Sequence, residues 1–148
     1  MAQDFALPIR RVILPRLKAD AGVTALIPAA RIYPATVPAN PTFPFIRYGA
    51  SMVAPFRASG LDSSAVTVAI HAFTKDITNG SGAITMTAED AAAKMADAIG
   101  RAVDDTTLAL EGGAGKARVT WTGTNLLQDP DEAGAWHAVV NLRVEVAG

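Results

Sequence analysis

From Trp136 to Val146 every second residue is apolar. Trp136, Ala138, Val140, Leu142, Val144 and Val146 fall on one side of an extended chain, while His137, Asn141, Arg143 and Glu145 take most of the other. A period of two sustained over this stretch is that of a β-strand with one core face and one face that is wet or an interface. Such a strand cannot stand alone, because its apolar row has to be covered by a second layer and its backbone groups paired by neighbours. The chain has 148 residues. A chain of this size buries roughly 70% of the surface its unfolded form exposes, enough for a core of its own. A single domain over residues 1–148 is therefore expected.

The rest of the chain supplies the missing layer. Residues 8–20 read as a helix: Pro8 suits the first turn, and Ile9, Val12, Ile13 and Leu17 recur at helical spacing. Pro15 inside that pattern predicts a kink or a break. Five of the nine prolines lie between Pro28 and Pro44, marking an extended connector. Phe43–Ala50 and Ala65–Phe73 read as strands, with Val66, Val68, Ile70 and Ala72 on one face. Ser51–Ser64 between them reads as a long loop, and Thr74–Thr85, with Asn79-Gly80-Ser81-Gly82, as a mobile one. Thr87, with Asp90 three residues on, starts a second helix along the stripe Ala91, Met95, Ala98, Ile99, Ala102 and Val103. Leu108–Leu110, a glycine-rich turn and a strand over Lys116–Thr124 follow, and Asn125–Gly134 reads as a hairpin loop. The order predicts an α+β fold: a mostly antiparallel sheet with two helices packed on one face and long loops between strands. No internal repeat is visible.

Chemistry is sparse. There is no cysteine, so no disulfide or thiolate metal site, and the chain suits a reducing cytoplasm. Thirteen basic against fourteen acidic residues argue against a dedicated nucleic-acid binder, which needs a basic stripe to displace counterions. The longest uncharged stretch is too short and too rich in proline to span a bilayer, and Asp4, Arg10 and Arg11 interrupt the apolar core of a secretory signal. Asn79-Gly80-Ser81 matches a glycosylation pattern but reads as a plain loop. Gly112–Lys116 imitates a phosphate-binding loop, yet Leu110 stands where its first glycine belongs and Ala117 where a Ser or Thr is needed. His71 and His137 each sit singly in a strand without a partner at ligand spacing, and a pairing of the two across the fold is the lesser alternative. No Gly-x-Ser-x-Gly elbow surrounds a serine. Asp129, Asp131 and Glu132 read as a solvated hairpin tip, and Trp121 and Trp136 as cross-strand core packing. Lys116, Arg118, Thr120 and Thr122 read as a wet face or a subunit contact. No catalytic centre, cofactor site or metal site is expected.

Taken in order, the segments resemble the tail-terminator, or tail-completion, family of siphophages and gene transfer agents. The resemblance covers most of the chain. It rests on Leu7-Pro8-Ile9-Arg10-Arg11 with Leu17-Lys18-Ala19-Asp20, then Arg31-Ile32-Tyr33 before the proline-rich connector and Phe43-Pro44-Phe45-Ile46 entering a strand. It continues through Val66–Phe73, the helix around Ala91–Ile99, and Trp136-His137-Ala138-Val139-Val140 after an acidic loop. The resemblance implies a structural virion protein and no enzyme. It implies a homo-oligomeric ring, usually of six subunits, that caps the tail tube at its head-proximal end after assembly in the host cytoplasm. Its partners would be the major tail-tube protein and a head-side neck or connector protein. Genome DNA would pass through without sequence-specific binding, and no membrane would be involved.

The loop Ser51–Ser64 carries Met52, Val53, Phe56 and Leu61 among loop-forming residues, with Arg57 beside them. Apolar groups held on such a loop mark a partner surface, so these five are the candidate assembly contacts. Two other functions fit the same fold: a head-side neck adaptor or minor tail component, or a small-ligand-binding or enzymatic α+β domain.

Overall fold

The computed structural model describes residues 4–58 and 61–147, with side chains outside 50, 55–63 and 147. The chain opens with helix α1, Ala6–Ala19, and Pro8 sits in its first turn, where N–H groups lack a partner inside the helix in any case. Ile9, Ile13 and Leu17, four residues apart, are its buried row. The expected break at Pro15 does not occur. Pro15 is on the exposed flank, and Ile13 and Leu17 anchor the turns on either side, so packing carries the helix across one missing hydrogen bond. Asp20 then starts the short α2, Ala21–Thr24, by accepting from the Val23 N–H at 2.9 Å. The proline-rich connector, expected to be extended throughout, instead opens with a 3-10 turn, Ala29–Arg31, and then contributes the two-residue strand β1, Ile32–Tyr33.

Strand β2, Phe45–Ala58, and β3, Leu61–Thr74, form one long antiparallel hairpin. The segment 51–64 is thus not a loop: pairing runs from Ser51 opposite Val68 to Ala58 opposite Leu61. Its loop-like residues have another cause. The register shifts between Tyr48 and Ser51, so Gly49 belongs to a bulge, and Pro55 stands in an edge position where a missing donor is tolerated. The next segment is also more ordered than its composition suggests. β4, Ile77–Thr78, and β5, Ile84–Met86, make a two-stranded ribbon whose turn is tied by Asn79 Oδ1, which accepts from the N–H groups of Ser81 and Ala83.

Helix α3, Ala88–Val103, begins where the sequence indicates, with the Thr87 hydroxyl accepting from the Asp90 N–H at 3.2 Å. Ala91, Met95, Ile99, Ala102 and Val103 are buried and Ala98 half-buried, as their spacing predicts. β6, Thr106–Ala109, leads through a turn at Glu111–Gly113 to β7, Lys116–Gln128, and β8, Trp136–Ala147, closes the chain. β7 extends four residues beyond its expected end at Thr124, shortening the loop that follows.

The main sheet has the order β1-β2-β3-β8-β7-β6, with β1–β2 its only parallel pair among the described residues. β8, the clearest strand in the sequence, lies near the middle, and Ala138, Val140, Leu142, Val144 and Val146 are all buried under the helices. α1 and α3 cover one face, and the Arg16 Nε–H donates to the Ala102 carbonyl at 2.8 Å, tying α1 to the end of α3. This is the expected α+β architecture with two helices on one face. Each buried Val, Leu or Ile there is worth about 1.5–3 kcal/mol.

Candidate assembly surfaces

The face turned away from the helices carries an aromatic ladder. Register places Phe45 of β2, Phe73 of β3 and His137 of β8 side by side. Their rings stack, with centroids 4.7 Å apart from Phe45 to Phe73 and 4.2 Å from Phe73 to His137, each pair tilted by 15°. Phe43 meets Phe45 edge-on at 5.1 Å, and the Lys75 ammonium lies 4.6 Å from the Phe43 ring centre. Such pairs are worth about 0.5–1.5 kcal/mol each beyond their burial. One step along β3, the Nδ1 of His71 is 2.6 Å from the Nε2 of His137.

The two histidines that stand singly in the sequence are therefore hydrogen-bonded partners, 66 positions apart and joined only by strand order. No third ligand completes a metal site: no group of three or more His, Cys, Asp or Glu suited to a metal occurs among the described residues. Burial, then the neighbouring His137, then the Arg47 guanidinium, push the His71 imidazole down to about 4. His137 is also lowered, by burial first, with Asp129 opposing and Arg47 adding to the shift. Unfolded imidazoles titrate near 6.5. As the pH falls from 6.5 towards 4 the unfolded chain thus binds protons that the native pair refuses, and stability drops. Urea midpoints measured between pH 6.5 and 5 should fall for the parent and fall less steeply for His71→Gln. An equal slope in both would mean that the pair does not stay neutral.

The edges of the sheet are only partly covered. β1 pairs with β2 at Ile46 and Arg47, and β6 pairs with β7 from Lys116 to Val119. Among the described residues no strand pairs with the outer side of β2 from 51 to 58, or of β7 from 120 to 128. These open stretches lie at opposite corners. Ser51 is level with Trp121 across the sheet, whereas Phe45, beside β1, is level with Leu127. Of the outer β7 donors, the Trp121 N–H is taken by Asp104 Oδ1 at 2.8 Å.

Beside the open part of β7 runs a groove of about 500 Å³, between α3 and the helix side of the strand. Ala93, Ala96 and Gly100 floor it from α3, and Trp121, Thr124 and Leu126 wall it from β7. Trp121 is therefore not core packing, in contrast to Trp136, which lies against the core. The β7 register shifts between Trp121 and Gly123, and Trp121 is left 47% exposed. The small side chains of α3 leave the space in front of it.

Of the five residues proposed as assembly contacts, Met52 is 70% exposed on β2, and Val53 is half-buried against the core on the other face. The side chains of Phe56, Arg57 and Leu61 lie outside the described residues, although their backbone belongs to the hairpin. Two exposed residues that the sequence reading passed over, Leu126 and Leu127 on the open part of β7, complete the apolar surface of the edges. Their signal was the run Asn-Leu-Leu-Gln inside a segment read as a polar loop. The acidic residues of that segment are a hairpin connection, in which Glu132 pairs with Lys75 at 2.7 Å. Gly112 and Gly113 take positive φ angles of 67° and 70° in the turn before β7, consistent with a turn rather than a phosphate loop. No described helix is long and apolar enough to cross a membrane.

Comparison with known proteins identifies the fold and the family. The fold is similar to that of a protein in the virion of a native gene transfer agent particle, at a TM-score of 0.76 and 18% identity over 98% of this chain and 100% of that one. A second solved chain aligns at a TM-score of 0.47 and 17% identity over 94% of this chain and 93% of its own, too loosely to carry an argument. No curated protein matches the sequence. The model of the family Tail completion protein gp17 matches residues 11–147, nearly the whole chain, and the chain belongs to that family of phage tail structural proteins.

Proposed function

We propose that the protein forms a homomeric ring, of six copies by analogy with tail terminators, that closes the tail tube at its head-proximal end and offers the surface on which the head is joined. Membership of the tail-completion family carries this reading. The fold is consistent with it, since among the described residues one chain presents two partly uncovered sheet edges at opposite corners, one available to a neighbour on each side. Its partners are the major tail-tube protein on one side and a head-side neck protein on the other. No chemical step is part of the function, and no cofactor is needed. The net charge of −1 suits a passage for genome DNA, because a strongly basic lumen would hold the polyanion back. The hairpin bearing Met52, Val53, Phe56, Arg57 and Leu61 serves as an assembly element.

A null mutant should accumulate filled heads and separate tails of irregular or excessive length. Electron microscopy of particles labelled on this protein should place the label at the junction between head and tail. Normal virions from the null mutant, or label along the whole tube or only at the distal tip, would remove the proposal.

A further inference from the structure

The two open edges are complementary to each other. Among the described residues β2 is uncovered at the hairpin end of the sheet, and β7 is uncovered at the other end. In each case a two- to four-residue strand, β1 or β6, blocks the rest. We propose that a second copy of this chain docks on the first edge to edge, residues 51–56 of its β2 pairing antiparallel with residues 123–128 of β7. The inference rests on the ring reading for its place in the virion and names the surfaces that would meet there.

Three observations converge on this joint. The first is apolar matching. Met52 points to the face away from the helices, as does Leu127, because they pair with Thr67 and His137 respectively. Val53 and Leu126 both point to the helix side, opposite Val66 and Ala138. With Ser51 set against Gln128, Met52 falls opposite Leu127 and Val53 opposite Leu126. Two large exposed side chains, Met52 and Leu127, are then covered on one face, and Leu126, 39% exposed, is covered on the other. A shift by one residue would put every side chain on the wrong face.

The second is clearance. In this register β1 of the incoming copy lies past the end of β7, against the connection that carries Asp129 and Asp131. β6 of the receiving copy stops at the level of Val119, short of the incoming Ala58, which would lie opposite Trp121. The two short strands thus act as stops that set the overlap. Pro55 withholds one donor from the new ladder, a loss that edge strands tolerate.

The third is charge. At the β1 end of the β1–β2 edge stand Arg31 and Arg47, and in this register they come level with the connection that carries Asp129, Asp131 and Glu132. A head-to-tail contact brings opposite signs together, whereas a symmetric contact of two like edges does not.

Directly opposite residues in an antiparallel pair have Cα atoms about 4.5–5.5 Å apart, within disulfide reach. The chain has no cysteine of its own, so introduced ones report unambiguously. Met52→Cys with Leu127→Cys in one chain should, after oxidation of assembled tails, give a ladder of covalent multimers that reductant collapses. Purified protein at high concentration should give the same ladder. Met52→Cys alone should give no cross-link; a dimer from that single variant would mean two β2 edges meeting symmetrically and would overturn the joint. Tails that assemble normally while the double variant stays monomeric on the gel would also overturn it and leave the ring reading standing. A ladder from purified protein that is nevertheless absent from the head-proximal end would support the joint and sink the ring's placement. Leu127→Asp offers a separate readout: it should keep the parent's melting temperature and lose assembly, and unimpaired assembly would count against the joint.

Discussion

Val140→Asp should leave the protein unfolded, while Glu145→Gln, five residues along the same strand, should be nearly silent. Val140 is fully buried, with Ile70 of β3 on one side and Thr124 of β7 on the other. The substitution forfeits the burial of a Val side chain, about 1.5–3 kcal/mol, and puts a carboxyl group under two helices without a partner. Desolvating an unpaired carboxylate costs several kcal/mol more. Together these approach the whole net stability of an ordinary domain, about 5–15 kcal/mol. Glu145 faces away from the helices with its side chain 57% exposed and pairs with Arg143 at 3.0 Å. An exposed pair of this kind contributes about 0–1 kcal/mol. Circular dichroism and urea titration of the two variants side by side check the pair of outcomes. Equal stability would mean that β8 presents its other face to the core.

Gly49→Ala should destabilise the protein by at least the 1–3 kcal/mol typical of overpacking. At most positions with ordinary backbone angles the same change stabilises by about 0.4–1 kcal/mol, because it narrows the unfolded ensemble. Here a Cβ would sit 2.6 Å from the Ala69 carbonyl oxygen and 2.5 Å from the His71 Nε2. The carbonyl belongs to β3, which is paired on both sides, so it cannot retreat without disturbing two ladders. The ring of His71 cannot retreat without breaking its bond to His137. The expected result is therefore a lower urea midpoint together with a perturbed histidine pair, visible as changed imidazole resonances. A midpoint at or above the parent's would mean that β2 and β3 do not approach this closely at the bulge.

The same bulge explains why the hairpin was not legible. A strand announces itself by alternation, and a register shift between Tyr48 and Ser51 breaks the alternation where Gly49 and Ser51 already imitate a turn. Pro55 adds a second false sign, since its tolerance depends on whether the strand has a neighbour on that side. No local rule supplies that information. The hairpin's membership in the sheet is nonetheless what turns Met52 from a residue on a loop into one on an exposed strand edge.

Where the structure follows from neighbours close in sequence, the chain declares it. The α3 stripe and its Thr87 cap, the buried row of α1, and the alternation of β8 are all consequences of a period that twelve or so residues reveal, because burial of one face is decided within the element. The absence of any familiar catalytic motif is likewise written in residue types and spacings. Strand order is not. β8 inserts between β3 and β7, and that single fact sets His71 against His137, stacks Phe73 on the imidazole of His137, and puts β2 and β7 on opposite sides of the sheet, each only partly covered by a short outer strand. Two histidines 66 residues apart, or two apolar pairs waiting at opposite corners of a sheet, have no period to betray them. Their meeting depends on how many strands separate them in space, which is a property of the packed sheet alone.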